Sequence, residues 1–289
     1  MEKTQGTTVV IFVRTTFVRR LGHLFFTLWL TMPATVFSGN DIQPGGARAS
    51  AMADASVCLQ DAWCTCNNPA GLAFLKHAEL DVSYNTPFLL SEIGQAGIAA
   101  ALPSKGGGWG LFLSSVGTEY YQENKTGLSF ALRLGPRFSA GVQLDAWGVV
   151  IAGGYGSSYA LDGDIGFQAM LTKTLMVGAH VINPTRAQFT GYSAASLPVS
   201  MSLGMAYEAS SSVLLTAEAQ KETYFPPAFK FGLEYKPATG LFVRTGISAG
   251  PWTYCLGAGY QINKLKLDFS STWHPVLGFT PGIGIGFIF

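Results

Sequence analysis

The feature that most constrains this fold is an alternation of apolar and polar or small residues that recurs from residue 77 to the end of the chain. Alternation with a period of two is typical of a β-strand whose two faces meet different surroundings. In residues 264–269, for example, lysine and aspartate alternate with leucine and phenylalanine. Short breaks rich in Gly, Pro, Asn and Ser separate the runs, as tight hairpins require. The pattern therefore predicts an all-β, antiparallel chain.

Counting these segments gives a predicted strand number of fourteen, with twelve as the alternative because bacterial membrane barrels have even strand numbers. In many of these segments the apolar residues occupy every second position over about ten residues, the length that a tilted strand needs to cross a bilayer. Residues at alternate positions, which share one face of a strand, are said below to have the same parity. The predicted strands lie near residues 75–85, 88–102, 107–118, 121–134, 137–151, 157–171, 174–182, 197–208, 212–222, 227–236, 240–249, 252–262, 264–273 and 279–289. Connections are short at both ends, apart from about 183–196, so we expect no long loop that folds inward as a porin constriction.

The surroundings of the apolar faces decide between two all-β architectures. In a soluble sandwich the apolar face packs on a second sheet, whereas in a transmembrane barrel it meets lipid and the polar face lines the lumen. The chain is 48% hydrophobic and only 12% charged, and its aromatic residues tend to fall at strand ends, as in the girdles of membrane barrels. We therefore predict a transmembrane antiparallel β-barrel in contact with outer-membrane lipid and lipopolysaccharide, with a soluble sandwich as the alternative.

Two N-terminal stretches precede the predicted barrel. Residues 1–38 run from basic to apolar to small residues, which is the order of a secretory signal peptide, and we predict cleavage near Ser38. Their apolar run is shorter than the roughly 20 residues of a membrane-spanning helix, so a transmembrane anchor is the less favoured alternative. Residues 39–74 break the alternation and are too few for a domain, yet too apolar for a solvated tail. We predict that they plug the lumen of a barrel formed by residues 75–289.

The final strand carries a second distinctive pattern. The side chains expected to face outward are apolar or aromatic, namely Ile283, Ile285, Phe287 and Phe289. That ending resembles the C-terminal signal by which the barrel-assembly machinery recognises outer-membrane barrels. Glycine occupies the inward parity of residues 282–286, and because glycine weakens a strand unless another backbone approaches closely, we predict that the plug packs against this strand.

Motifs in residues 39–74 resemble the N-terminal hatch of the FadL-like outer-membrane superfamily. They are the runs Gly45–Arg48, Ala51–Ala55 and Asp61–Trp63, and the Asn-Pro-Ala core within Asn67–Ala73. The opening Gly-Ala-Arg and the ending His274–Phe279 are closer to the PorV/PorQ family associated with type IX secretion. The resemblance implies a fourteen-stranded barrel with a hatch inside its lumen, in the outer membrane of a Gram-negative bacterium. The implied hatch and lumen residues are Trp63, Asn67, Asn68, Pro69, Ala70, Leu72 and Phe74.

Two functions are compatible with that resemblance. The first is a passive channel for small hydrophobic compounds that pass the hatch without an energy source. The second is an accessory role, in which a plugged barrel serves as a subunit of a secretion or assembly complex. The barrel architecture does not by itself select between them.

The chain has four cysteines, Cys58, Cys64, Cys66 and Cys255. If it is exported, as predicted, it reaches a compartment in which disulfides persist. Parity places Cys255 on the lumen side, so it is able to meet a cysteine of the plug. Buried free thiols and at least one disulfide both remain open. A metal site of Cys64, Cys66 and His77 or His180 is the least favoured alternative because one intervening residue departs from zinc-site spacing, and we predict no metal.

The remaining charged residues do not indicate catalysis. Many acidic and basic residues lie at positions that are expected to face the lumen. Neither a nucleophile motif nor a characteristic spacing identifies any of them as catalytic. A hydrated ion-pair network inside the lumen is the expected role. The formal net charge of +1 offers no basic face for nucleic acid. We therefore expect neither enzyme activity nor a cofactor.

Overall fold

The strands of the chain close into a barrel. In the computed structural model, which describes residues 45–154, 156–191 and 196–289, fourteen antiparallel strands pair in a ring. The first, β1 (Glu79–Asn85), pairs with the last, β15 (Gly278–Ile288). Closure leaves no free sheet edge, and it confirms the predicted fourteen strands. The predicted signal peptide at 1–38, its cleavage site and residues 39–44 of the predicted plug lie outside the described residues.

The other barrel strands follow one another as neighbours in the sheet. They are β2 (Gln95–Ser104), β3 (Gly107–Gly117), β4 (Tyr121–Arg133), β5 (Phe138–Ile151), β6 (Gly156–Met170), β7 (Leu175–Ile182), β9 (Ser200–Ser210), β10 (Val213–Glu222), β11 (Ala228–Ala238), β12 (Leu241–Ala249), β13 (Thr253–Ile262) and β14 (Leu265–His274). An extra two-residue strand, β8 (Thr190–Gly191), pairs with Ser158 and Tyr159 near the start of β6 and is not a member of the ring.

Short helical pieces account for the two main differences from the predicted strand bounds. The predicted strand at 88–102 begins only at Gln95, because 3-10 turns occupy Pro87–Leu89 and Ser91–Ile93. The predicted first strand, near 75–85, begins only at Glu79, because the chain leaves the 3-10 helix Pro69–Phe74 through residues 75–78, which are neither helix nor strand. The other helices are α1 (Ala47–Ser50) and α2 (Cys64–Asn67). Among the described residues, no helix has the length and apolar character needed to cross a membrane.

The outer surface of the barrel is apolar. Along each strand, large apolar side chains are exposed on one parity, while the other parity points inward and is mostly buried. The aromatic residues at the strand ends, such as Trp109, Tyr159 and Trp252, are exposed on this outer face. A contiguous apolar belt with aromatic residues near its rims is the surface that lipid requires.

The two ends of the barrel differ in their connections. At the end where β1 begins and β15 ends, the turns have two to four residues, for example 105–106 and 134–137. At the other end the connections reach 86–94 and 183–199. Because membrane barrels have short periplasmic turns and longer extracellular loops, we name these the periplasmic and the extracellular end.

The core of the molecule lies inside this ring. Residues 45–74, called the N-terminal segment below, are almost all buried and pack against inward-facing residues of the strands. The N-terminal segment thus fills the lumen that a fourteen-stranded wall would otherwise leave open.

Candidate functional site

The Asn-Pro-Ala core of the N-terminal segment is bonded to the barrel wall. The Nδ2 of Asn68 donates to the carbonyl of Val57 at 2.8 Å and to those of Phe167 and Ala179, on β6 and β7, at 3.2 and 3.4 Å. Its Oδ1 accepts from the amide of Ala70 at 3.1 Å and so caps the 3-10 helix that starts at Pro69. Asn68 therefore fixes the local turn and attaches it to two strands.

Asn67 and Trp63 organise the start of the N-terminal segment. The Asn67 side chain accepts from the amide of Gly45 at 2.9 Å and donates to its carbonyl at 3.2 Å. The indole of Trp63 lies against Gly45 and Gly46, where any side chain would collide with the ring. Gly46 also has a φ of 95°, which favours glycine. These contacts explain why the chain reads Gly-Gly at this point.

Charged side chains connect the N-terminal segment to the opposite wall. The Arg48 guanidinium donates two hydrogen bonds to the carboxylate of Glu234 on β11, at 2.9 and 2.8 Å, and a third to Asp61 at 3.1 Å. Arg244 on β12 shares the same Glu234 carboxylate. A paired, bidentate arrangement is needed here because an isolated buried charge is costly.

A second attachment uses a carboxylate and two backbone amides. The Oε2 of Glu218 on β10 accepts hydrogen bonds from the amides of Ser56 and Val57, both at 2.9 Å. Lys230 on β11 lies 3.6 Å from the other oxygen of Glu218 and donates to the Asp54 carbonyl. The expected lumenal ion-pair network is therefore present, and it includes the N-terminal segment.

Inward-facing glycines allow the N-terminal segment to approach the wall backbone. A side chain at Gly141 would overlap Pro69 and Ala70, and one at Gly246 would overlap Met52 and Ala53. The glycines of the wall whose added Cβ would contact the N-terminal segment at 3.3 Å or less are Gly97, Gly108, Gly110, Gly141, Gly166, Gly178, Gly204, Gly232, Gly246, Gly257 and Gly284.

The glycines of the final strand, β15, contribute little to the close contact between the N-terminal segment and the wall. Of its inward glycines, Gly284 lies against Ala47, whereas Gly282 and Gly286 face polar side chains of neighbouring strands. The outward Ile283, Ile285, Phe287 and the last residue, Phe289, are exposed. Their role as a signal for barrel insertion stays a prediction.

A small aromatic pocket lies at the extracellular face of the N-terminal segment. It has a volume of about 50 Å³ and is lined by Trp63, Phe112 and Trp147, together with polar residues of β1 to β4. The rings of Trp63 and Phe112 meet edge to face with centroids 6.3 Å apart. The ammonium of Lys125 lies 4.8 Å from the Trp147 ring. The sequence analysis did not select Phe112 or Trp147, although an aromatic residue on inward parity is a usable signal.

The predicted lumen residues are distributed between two sides of the N-terminal segment. Trp63 faces the aromatic pocket, whereas Phe74 lies on the periplasmic side beneath the Arg133 guanidinium, whose Nη2 donates to the Ala73 carbonyl at 2.7 Å. The remaining predicted residues, Asn67, Asn68, Pro69, Ala70 and Leu72, are buried between these faces.

A cavity of about 160 Å³ lies on the periplasmic side. Its lining combines charged side chains, among them Arg48, Arg244 and Lys266, with the rings of Trp63, Phe242 and Tyr260. Aromatic and charged side chains therefore occur on both sides of the N-terminal segment, since Lys125 also lines the aromatic pocket.

The four cysteines are buried free thiols in the structure. Each Sγ lies near an oxygen, for example that of Cys64 at 3.1 Å from the Leu59 carbonyl. Burial raises the pKa of the Cys58 and Cys66 thiols to about 12, so these thiols stay protonated at neutral pH. A disulfide to Cys255 stays a prediction. His77 is exposed just before β1 rather than lumenal, since the strand begins only at Glu79.

Solved structures share this architecture. The toluene transporter TodX of P. putida matches with a TM-score of 0.64 at 13% sequence identity, over 86% of this chain and 99% of that chain. The toluene transporter TbuX of Ralstonia pickettii matches with 0.63 at 12% identity, over 86% and 99%. A FadL homologue of Pseudomonas aeruginosa gives 0.56 at 12% identity, over 87% and 98%. No protein-family model and no curated protein sequence matches the chain.

The chain has the FadL-type fold. With this fold and an apolar outer face, it is an outer-membrane β-barrel, as predicted. At sequence identities of 12 to 13%, these similarities establish a shared fold and nothing beyond it. The predicted closeness to the PorV/PorQ family stays a prediction.

Proposed function

We propose that the chain is a passive channel by which small hydrophobic compounds cross the outer membrane, with the N-terminal segment as its hatch. The observation that carries the proposal is the aromatic pocket of Trp63, Phe112 and Trp147 at the extracellular face of that segment. Aromatic side chains give an apolar ring a favourable surface and leave room for edge-to-face packing. Transporters of toluene have the same fold.

The pocket volume indicates how the hatch works. A cavity of about 150 Å³ holds a benzene molecule, whereas this pocket has about 50 Å³. Entry of an aromatic hydrocarbon therefore requires side chains that line the pocket to move. Trp63 is one of them, and it belongs to the N-terminal segment.

The test is uptake of radiolabelled toluene by bacteria whose outer membrane carries this chain as its hydrocarbon channel. We expect faster uptake than in cells with an empty vector. Phe112→Ala removes one ring contact and should slow uptake about threefold to tenfold at low toluene concentration, following the usual energy of an aromatic pair. Phe138→Ala, on the lipid-facing surface, is the matched control and should change nothing. Equal uptake with and without the chain would contradict the proposal.

The accessory-subunit alternative makes a different prediction for the same protein. Extraction in mild detergent would then recover stable protein partners in fixed ratio, and toluene uptake would not depend on Phe112. The reported structural similarities are to hydrocarbon transporters and a FadL homologue, so the channel is the better supported of the two.

A further inference from the structure

Three carboxylates converge inside the wall next to the aromatic pocket, and the proposed channel function gives them no role. Asp145 on β5 and Asp162 and Asp164 on β6 are all buried, and one oxygen from each lies within 4.8 Å of the others. Two ligands on opposite sides of a Ca²⁺ ion are about 4.6 to 5.2 Å apart, because each Ca²⁺–oxygen distance is about 2.3 to 2.6 Å. The spacing of the three oxygens is therefore compatible with a single cation between them.

Neutral donors hold these carboxylates in place. The Oδ1 of Asp145 accepts from the Gln143 side-chain amide at 2.6 Å, and that of Asp162 from the Trp147 indole at 2.9 Å. The Oδ1 of Asp164 accepts from the backbone amide of Asn183 at 3.2 Å. Such bonds fix the orientation of the carboxylates without neutralising them, as outer-shell donors do around metal ligands.

The charges in the cluster do not balance. Lys125 lies 2.9 Å from the Oδ2 of Asp145 and is the lysine whose charge acts on all three carboxylates. When all three carboxylates are ionised, the Lys125 ammonium leaves two negative charges in a buried place, and the neighbouring His180 ring is the other basic group in contact within the described part of the chain. Because uncompensated buried charge is costly, a divalent cation would supply the missing compensation.

A histidine next to the cluster gives a separate indication. His180 on β7 is 3% exposed, and its Nε2 has no hydrogen-bond partner among the described residues. This nitrogen points at the Oδ2 of Asp164 from 3.6 Å, and that oxygen also lacks a hydrogen-bond partner there. At 3.6 Å the two atoms form at most a long ion pair. Because buried polar atoms normally have hydrogen-bond partners, an Nε2 that is directed at the cluster without one points to a ligand there.

We propose that Asp145, Asp162 and Asp164 bind one divalent cation of the hard, oxygen-preferring class, with Ca²⁺ as the representative ion. Carboxylate oxygens are the ligands that such cations prefer. The Nε2 of His180 lies at the edge of the site and points toward it. Lys125 remains beside Asp145 as the second source of positive charge.

The site would join parts of the chain that are otherwise separate. It connects β5 and β6 with Asn183, the first residue after β7. The following connection packs Phe189 and Leu197 on Val149 and Ala160 of the same two strands. Cation binding would therefore stabilise the described parts of the extracellular connection, residues 183–191 and 196–199.

Terbium luminescence is the direct test. Tb³⁺ replaces Ca²⁺ at oxygen sites, and Trp147, bonded to Asp162, is placed to sensitise it. With the full chain in nonionic detergent, we expect TbCl₃ to give luminescence that excess CaCl₂ abolishes. The double variant Asp162→Asn, Asp164→Asn should weaken Tb³⁺ binding about a hundredfold, since ligand charge sets affinity at such sites. Glu208→Gln, which removes an exposed carboxylate on β9, is the matched control and should bind as the wild type does.

Lys125→Met separates a cation site from an ordinary ion-pair network. Removing the ammonium leaves three negative charges, so the variant should bind Tb³⁺ about tenfold more tightly and gain more thermal stability from CaCl₂ than the wild type. A heat-modifiable band on a gel verifies that each variant is a folded barrel. Folded wild type without CaCl₂-sensitive luminescence, or luminescence equal in the wild type and the double Asn variant, would overturn the proposal. Toluene uptake is not a readout, so this test is independent of the channel function.

Discussion

Asn68 shows how much one side chain contributes to keeping the lumen filled. Its amide bonds Val57, β6 and β7, while its carbonyl oxygen caps the next 3-10 helix. The sequence indicated Asn68 through its motif. It did not indicate the partners, because parity tells which residues face inward and not which of them meet. Phe112 and Trp147 were missed for the same reason.

Asn68→Ala should detach the N-terminal segment while leaving the barrel closed. The substitution leaves the Phe167 and Ala179 carbonyls without their side-chain donor and costs about 1 to 3 kcal/mol. We expect protease to cleave within residues 45–74 in the variant and not in the wild type, with an unchanged heat-modifiable barrel band. Asn124→Ala, near the extracellular end of β4, should stay resistant. Equal resistance of Asn68→Ala would show that the ion pairs of Arg48 suffice.

The strands are the elements that sequence reasoning predicted best. Alternation is a local property, so β3 to β7 begin and end close to their predicted limits. The start of β2 was wrong because the 3-10 turns at 87–93 carry apolar residues that continue the apolar pattern. Glycines inside strands were an unused signal. Inward glycines on many strands indicate a second backbone against the wall, whereas only those of β15 were interpreted in this way.

Gly246→Val tests this close packing at the level of one strand. Its side chain would overlap Met52 and Ala53, and overpacking of this kind costs about 1 to 3 kcal/mol. We expect the N-terminal segment to shift and the outer membrane to become more permeable to a fluorescent hydrophobic probe. Gly148→Val is the control, because a Cβ there meets only the Tyr159 ring at an ordinary 3.7 Å. A normal probe signal for Gly246→Val in a folded barrel would refute the tight fit.

For the whole molecule, the periodicity, the low charge content and the aromatic residues at strand ends predicted a membrane barrel of about fourteen strands, with twelve as the alternative. The arrangement inside it was not predictable from one sequence, since it depends on contacts between distant residues. Arg48 and Glu234 are 186 positions apart, and the aspartate cluster requires β4, β5 and β6 in one register. Periodicity contains no information about such pairs.

The orientation of the barrel is a prediction about the whole molecule. Glu119→Cys, in an extracellular connection, should react with a membrane-impermeant maleimide on intact cells, whereas Thr239→Cys, in a periplasmic turn, should react only after the cells are opened. Wild type should stay unlabelled while folded, because its thiols are buried and burial holds the pKa of Cys66 at about 12. Labelling of Thr239→Cys on intact cells would mean that the barrel is inverted.

The ion pair of Arg48 and Glu234 also has a consequence for the order of steps in folding. Arg48 leaves the ribosome long before Glu234, and the wall that surrounds it is complete only when β1 and β15 have paired. Contacts between such distant residues form late in folding. We therefore expect the N-terminal segment to be enclosed while the strands close rather than inserted afterwards. Assembly intermediates should contain a partly formed wall around a chain start that is not yet fixed.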